Sequence, residues 1–524
     1  MHIITPMMVT HLSTITIMEK MVTHLSMSII MEKMVTPLSM SITMLMTVTK
    51  QSTNTTITAR KRTTAKITTT IVMSNKVNMA PASMTPTEKD LWFLPLGGCG
   101  EIGMNLSLYG HNGQWLMVDC GIGFDRAAAG TRIIAASVDF IEPRRQQLAG
   151  LVVTHAHEDH VGAVAHLWPK LKCPVYCTRF TYQILRRKLI EVGLEKIVEV
   201  HIVEPHQRHH LGHFDIEWFD MTHSAPESQA LMIRTPLGNI FHTGDWKIDN
   251  HPVVGAKINQ SALKALGKEG VLAMVCDSTN ATLKGHSTSE GILYDNLLKH
   301  AQQAKGRIVV ACFGSNVARL YTLGRVAQAT GRFPALLGRS LHNYYGAAKA
   351  SGLWTLGRDF IETQHLGYLP ANEVFAVATG SQGESGAALS RLAAGNHPAM
   401  ELAAGDTVIF SSRVIPGNED SLDSLCAVLK ARGVLIIVDT DASPIHASGH
   451  PAQDELRIMY DWIKPQVSIP VHGEEQHLRA HARFAKSLGI SAQIAGKNGD
   501  LITLAPAIGT RREAAEFGRI EIKR

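Results

Sequence analysis

Thr154-His155-Ala156-His157-Glu158-Asp159-His160, reached through the apolar run Leu151-Val152-Val153, decides how the rest of this 524-residue chain is read. A β-branched run that ends in a dense His/Asp cluster predicts a buried strand delivering polar side chains to its tip. Three imidazoles and a carboxylate are a costly filling for a loop, and borderline nitrogen with hard oxygen donors suits Zn²⁺, with Mn²⁺ as the less specific alternative. In an extended segment His155 and His157 point to the same side. Asp159 and His160 follow where the chain turns, so they can face a second ion. An isolated His-x-His can arise by chance; the full string points to a metal site.

Outward from this string, several apolar runs end the same way. Trp218–Met221 leads through Thr222 to His223, which would complete a three-histidine set with His155 and His157. Asn239–His242 leads through Thr243-Gly244 to Asp245, a carboxylate placed to bridge two ions, with Gly244 allowing a sharp turn beside it. Ala273–Cys276 ends at Asp277, and Ser468–Val471 ends at His472. Trp115–Asp119 ends on a carboxylate expected to hold a ligating imidazole through its far nitrogen, the alternative being a turn-capping Asp. The repetition carries the argument, since any one of these residues alone would pass as a strand-end polar group.

Two other features do not lead to function. Gly98-x-Gly100-x-x-Gly103, with Asp119 downstream, matches a dinucleotide fingerprint, but that motif must open a helix. Here the flanking segments Met104–Tyr109 and Trp115–Asp119 read as strands around the turn His111-Asn112-Gly113, a hairpin. The five histidines between His201 and His213 lack regular spacing and read as surface or loop residues. Asn498-Gly499-Asp500 reads as a hairpin turn.

Composition sets the limits. Residues 1–84 contain 14 of the 21 Met, only two acidic residues, and a tandem repeat beginning at Met8, Met21 and Met34. Three short Thr/Ser/Met copies are too few for a solenoid, and the segment is expected to be a disordered low-complexity leader, read as a transit peptide or, preferably, as sequence upstream of a true start at Met79 or Met84. The leader carries eight of the 51 basic residues, so the formal +6 vanishes in the remainder and net charge gives no argument for nucleic acid. No run is long and apolar enough for a transmembrane helix, so no membrane association is expected. Seven scattered Cys fit reduced thiols and a cytoplasmic location. After Ser289, strands alternating with helices, including Arg307–Cys312, Ala335–Leu337 and Glu373–Ala378, predict a parallel α/β unit. Its turns Phe313-Gly314-Ser315-Asn316 and Thr379–Glu384 can present N–H groups to phosphate or serve as plain βα turns.

Taken in order, THAHEDH from Thr154, THS around His223, TGDWKID around Asp245, DSTNA from Asp277, GRS from Gly338, TGSQGE from Thr379, IPGNE from Ile415, IHASGH from Ile445 and PVHGE from Pro470 resemble the ribonuclease J family, in the β-CASP group of the metallo-β-lactamase superfamily. The resemblance spans about residues 90–505 and implies an α/β architecture: an αββα metallo-β-lactamase domain (85–285), split by an inserted parallel α/β β-CASP domain (286–439), with a return segment (440–505). It also implies two zinc ions per chain, one on His155, His157 and His223, the other on Asp159, His160 and His472, with Asp245 bridging and Asp119 and Asp277 in support. By the same resemblance Asp159, His446 and His450 serve in catalysis, and His446, Ala447, Ser448, Gly449 and His450 bind RNA phosphate. Phe313, Gly314, Ser315 and Asn316, with Thr379–Glu384, are the weaker candidates for RNA contact. The family usually carries a further C-terminal domain; residues 506–524 read as its remnant, which puts the homodimer that the resemblance implies in question.

The function expected is hydrolysis of single-stranded RNA, with a preference for a 5′-monophosphate end, as a 5′→3′ exonuclease, an endonuclease or both. The competing readings are a small-molecule metallo-hydrolase of the same superfamily, which would need the ligands but not the insert, and a non-catalytic RNA-binding subunit, which would be expected to have lost ligands.

Overall fold

Strand Leu91–Gly97 shows how the first domain is layered, because it is apolar at both parities. Leu91 and Phe93 point to one buried cluster, shared with Trp218, Leu231, Ile240, Val275 and Ile469 of a second sheet. Trp92, Leu94 and Leu96 point to another, shared with Leu167, Phe180, Ile184 and Leu185 of the covering helices. A sheet buried on both faces requires apolar residues at both parities, where a half-exposed sheet would show alternation. The computed structural model describes residues 84–127 and 130–523, within one compact unit, Pro81–Arg524. The expected leader lies almost wholly outside the described residues.

The first sheet has eight strands, with Leu91–Gly97, Leu106–His111, Gln114–Val118, Leu148–Val152 and Val175–Cys177 at its centre. The second has seven, ordered Arg208–Leu211, Phe214–Met221, Ser228–Thr235, Gly238–His242, Ala273–Asp277, Val467–Val471 and Ala492–Gln493. Its outer face packs Phe241, Met274 and Cys276 against Leu263, Leu456 and Met459 of helices Gln260–Glu269 and Gln453–Ile463. The result is the four-layer αββα sandwich.

Between these parts of the second sheet the chain builds a separate five-stranded sheet. All its pairings are parallel, in the order Phe333–Leu337, Val374–Ala378, Ile308–Ala311, Thr407–Phe410 and Leu435–Val438. Val309 and Ala311 face one core, Ile308 and Val310 the other, as parallel strands covered by helices on both sides demand.

The glycine-rich stretch opens no helix. Gly98, Gly100 and Gly103 have φ of 84°, 91° and 97°, and Cys99–Gly100 pairs in parallel with Gly473–Glu474. Asn112 and Gly113, at φ 45° and 77°, form the two-residue turn of the expected hairpin. The strand expected from Met104 begins at Leu106. Asn498-Gly499-Asp500 corrects an expectation: it joins Ala492–Gln493 of the second sheet to Leu501–Ala505 of the first, so it closes no hairpin. Asn498 anchors this crossing, its Oδ1 accepting from Cys99 N at 3.0 Å and its Nδ2 donating to Glu101 at 2.7 Å.

Candidate metal centre

Parallel pairing brings the polar strand ends together. Gln114–Val118 runs beside Leu148–Val152, so Asp119 and Thr154 leave the sheet side by side. Across the sandwich His242 pairs with Val275, and Asp277 with Val471, which aligns the exits toward Asp245, Asp277 and His472. Ligands gather at the C-terminal ends of such strands because parallel strands all stop there at one level.

Three imidazoles form one half of the centre. The ring centroids of His155, His157 and His223 make a nearly equilateral triangle of 4.8, 4.8 and 4.9 Å. His157 Nδ1 lies 3.0 Å from His223 Nε2. His155 Nδ1 is 3.1 Å from Thr154 Oγ1, and its buried Nε2 has no hydrogen-bond partner. Asp159, His160 and His472 form the other half, with His472 Nε2 3.1 Å from an Asp159 oxygen. Asp245 sits between them. Its Oδ2 is 3.2 Å from His160 Nε2, 3.6 Å from His472 Nε2, and 3.9 Å from both His155 Nε2 and His223 Nε2. The groups His155–His157–His223–Asp245 and Asp159–His160–Asp245–His472 each keep their donor atoms within 4.8 Å of one another.

Most of the rings are tied down on the side away from the centre, His157 Nε2 being the buried exception without a partner. Asp119 Oδ2 accepts from His160 Nδ1 at 2.7 Å, while its Oδ1 accepts from Thr154 N at 2.8 Å. His223 Nδ1 lies 2.6 Å from the carbonyl of Gly449, so it must carry the proton and leave Nε2 bare. His472 Nδ1 is 2.7 Å from Thr279 Oγ1. Asp277 accepts from His450 Nδ1 at 2.7 Å, and joins Asp245, His450 and His472 in a third group of the same tightness. His450 thus belongs to the centre; its ring stacks on His472 at 5.3 Å.

Electrostatics divides the halves. Burial, reinforced by neighbouring imidazoles, holds His155 well below its ordinary value, and burial lowers His157 to about 4 against the opposing pull of Asp159 and Asp245, so both are neutral donors at neutral pH. Burial also lowers His223 well below its ordinary value. At His160 and His472 burial acts in the same direction, but Asp245 with Asp119, Asp159 and Asp277 outweighs it and pushes both up. Buried carboxylates there demand positive charge. Neutral imidazoles with an unpartnered Nε2, around carboxylates that call for a cation, fit the N/O donor set of Zn²⁺ or Mn²⁺.

Other expected residues lie elsewhere. Asn316 caps helix Val317–Ala329, its Oδ1 accepting from Arg319 N at 2.9 Å, and Gly314 packs close to Ser340. Gln382, within Thr379–Glu384, accepts from Ile415 N at 2.8 Å and Asn418 Nδ2 at 3.1 Å. These turns hydrogen-bond within the inserted domain, and the bonds do not reach the cluster. His446 is lowered to about 3 by burial and by Arg319 and Arg413, and its Nδ1 is buried without a partner. Ser448 Oγ accepts from Asn280 Nδ2 at 2.8 Å and from His450 N at 3.3 Å, which leaves its own proton free to donate. Among the described residues, none of the five histidines from His201 to His213 enters a metal-type group.

Sequence reasoning passed over three groups. Thr154 and Thr279 stood inside the quoted motifs and were legible there. Asn105 follows the dismissed glycine loop and donates from Nδ2 to the Asp159 carbonyl at 3.1 Å; a glycine run admitting close backbone approach was the available signal.

Comparison with known proteins agrees with this geometry. Residues 114–266 match the family described as "Beta-lactamase superfamily domain", residues 305–429 "Ribonuclease J, beta-CASP domain", and residues 436–495 "Zn-dependent metallo-hydrolase RNA specificity domain". A ribonuclease J of Sinorhizobium meliloti is 42% identical over 438 residues, 83% of this chain and 78% of that protein. One from Mycolicibacterium smegmatis is 36% identical over 432 residues, covering 81% and 76%. A crystal structure of an Enterococcus faecalis protein of unknown function covers 79% of this chain and 100% of its own, with a TM-score of 0.54 and 15% identity, a likeness of fold. At that identity, over most of both proteins, and with all three domain families in order, the chain belongs to the ribonuclease J family.

Proposed function

We propose that the centre holds two divalent cations, Zn²⁺ first and Mn²⁺ as the alternative, and hydrolyses single-stranded RNA. The ligands are His155, His157 and His223 on one side, Asp159, His160 and His472 on the other, and Asp245 between them. One observation carries the reading: a single oxygen of Asp245 lies within 3.9 Å of imidazole nitrogens from both halves. Membership of the family makes the chain a metal-dependent ribonuclease. Bound cations of this kind generate hydroxide at neutral pH and offset charge on the phosphate oxygens.

The chain's own residues supply the rest. Asp159 is the most open of the carboxylates, its side chain 29% exposed, and accepts a hydrogen bond from the attacking water, which orients it. Oxygen adds to phosphorus, the bond to the 3′-oxygen breaks, and the products carry a 5′-phosphate and a 3′-hydroxyl. His450, held through Nδ1 by Asp277, presents Nε2 to the leaving oxygen; His446, outside the cluster, is assigned to phosphate binding. The Ser448 hydroxyl donates to a phosphate oxygen, helped by the N–H groups of the Ala447–Gly449 segment. We assign both 5′→3′ exonuclease and endonuclease cutting to this one site, with a 5′-monophosphate preferred.

The division at 85–285, 286–439 and 440–505, a cytoplasmic location and a homodimer belong to the same reading. All seven cysteines are free, and among the described residues no helix is long and apolar enough to cross a membrane. Strand Leu435–Val438 is the edge of the inserted sheet, with Leu435 and Val438 exposed on its opposite faces, and it offers an unpaired edge to a second copy.

The test uses metal-loaded protein and an internally labelled RNA bearing either a 5′-monophosphate or a 5′-triphosphate, with His155→Ala as control. Mononucleotides from the monophosphate alone support the exonuclease with an end-reading pocket, and internal fragments from both mark endonuclease cutting. Unchanged cleavage by His155→Ala sinks the assignment.

A further inference from the structure

The loop carrying His155 and His157 is held from outside its own domain. Tyr344 lies on helix Arg339–Ala350, which follows the second strand in sequence within the inserted sheet, Phe333–Leu337. Its ring is buried in the core of the first domain, 6.3 Å from Phe180, and its hydroxyl donates to the carbonyl of Ala156 at 2.8 Å. Ala156 stands between the two histidines. On the opposite side of the triangle, His223 donates to the carbonyl of Gly449, within the His446–His450 segment beyond the insert. That approach is tight: a Cβ at Gly449 would lie 2.6 Å from His223 Cε1. The three-histidine half is therefore hydrogen-bonded to the inserted domain at one edge and to the phosphate-binding segment at the other.

We propose that Tyr344 is a positioning residue through which the inserted domain sets the His155–His157 loop, so that RNA bound across the two domains and retention of the ion on the three-histidine side are linked. The inference rests on the ligand assignment above. Its physical basis is that Ala156 carbonyl is fully buried and tied to Tyr344, so a shift of the helix moves the backbone between two ligands. Groups one step behind metal ligands typically change affinity 10–100-fold when removed. Linkage is reciprocal at equilibrium, so RNA that raises the affinity for the ion is itself bound more tightly, by the same factor, when the ion is present, and slower ion release is the expected kinetic sign.

The experiment follows zinc release from the full-length, zinc-loaded protein to a chromophoric chelator. It is run with and without a 5′-phosphorylated, fully 2′-O-methylated oligoribonucleotide as a non-hydrolysed probe. His155→Ala identifies the phase belonging to the three-histidine ion. Tyr344→Phe keeps the ring and deletes the hydroxyl, and it is expected to release that ion roughly tenfold faster. It should also shift the visible bands of the Co²⁺-substituted protein and shrink the protection given by RNA. Asn343→Ala is the control for domain docking: Asn343, next to Tyr344 on the same helix, accepts from Arg187 of helix Arg179–Glu191 in the first domain at 2.8 Å, and the variant's release should match wild type. Tyr344→Phe releasing zinc like wild type, with equal protection by RNA, overturns the proposal. So does an Asn343→Ala that loses the ion equally fast, since docking alone would then explain the effect. A wild type that binds no zinc, or a His155→Ala that binds it unchanged, overturns the ligand assignment instead. Thermal melts of the metal-free variants separate a misfolded Tyr344→Phe from one that has lost only the hydrogen bond, and Tyr344→Leu, which also lacks a donor, serves if it misfolds, with the same outcomes deciding.

Discussion

At the strand ends of the sandwich, side chains from six segments turn toward one another, and one Asp245 oxygen faces five imidazole nitrogens, that of His450 included. At the strand ends of the inserted sheet, Asn316 spends its side-chain oxygen on Arg319 N, in the first turn of the helix that follows it. In both regions polar residues follow apolar strands, and their sequences look alike, although the sandwich sheets mix parallel and antiparallel pairs while the inserted sheet is all parallel. The difference is where the hydrogen-bonding capacity goes. A strand-end side chain consumed by its own turn is structural, while one left facing other donors across the fold is available for chemistry.

The largest expected effect comes from the carboxylate between the halves. Asp245→Asn keeps the shape but removes the shared negative charge, and cleavage of RNA should fall on the order of 10³-fold or more. Metal analysis of the purified variant should show less than the wild-type content. A variant that keeps both its ions and its rate would break the comparison, because Asp245 would then be one more strand-end residue.

Two buried histidines sharpen the same contrast. His155 Nε2 has no partner, whereas His481 is satisfied at both nitrogens, by Ser278 Oγ at 2.9 Å and Tyr460 Oη at 2.8 Å. Burial lowers His481 from 6.5 to about 4, so the folded protein keeps it neutral while the unfolded chain takes up a proton below 6.5. Its contribution to stability is complete above that value and is lost as pH falls toward about 4. Between roughly pH 7 and pH 5 this amounts to about 2 kcal/mol. Urea titrations at the two pH values should show His481→Gln losing less stability on acidification than wild type, by about that amount. Equal losses would mean that the ring titrates normally in the fold.

Much of the proposed centre was legible because metal chemistry leaves dense signals: His155, His157, Asp159 and His160 sit within one heptapeptide, and the other proposed ligands each follow an apolar run. The layers were legible through strand apolarity at both parities, as in Leu91–Gly97. What stayed hidden depends on distance across the fold. Tyr344 meets Ala156 across 188 residues, and no local pattern marks a tyrosine on an amphipathic helix as anything but core. The turn at Asn498 misled because Asn-Gly chemistry specifies the bend, while the sheet that each arm joins is decided by tertiary pairing. The glycine loop was rightly separated from dinucleotide binding, yet its closeness to Asp159 needed the tertiary structure.

Asn316 offers the smallest and most discriminating effect. Its side chain accepts from Arg319 N, satisfying one of the donors that every helix N-terminus leaves open. Replacing it with Ala removes that acceptor in a buried position and should cost about 1 kcal/mol of stability. If this cap is its main role, RNA cleavage at a temperature well below unfolding should keep its KM and its maximal rate. If Phe313–Asn316 instead grips RNA, KM should rise several-fold while the urea midpoint hardly moves. Paired measurements on Asn316→Ala and Asn316→Asp decide between the two, because Asp restores the cap and adds a negative charge. An Asp variant with recovered stability and unchanged KM assigns the turn to structure, and one with recovered stability and raised KM returns it to the RNA path.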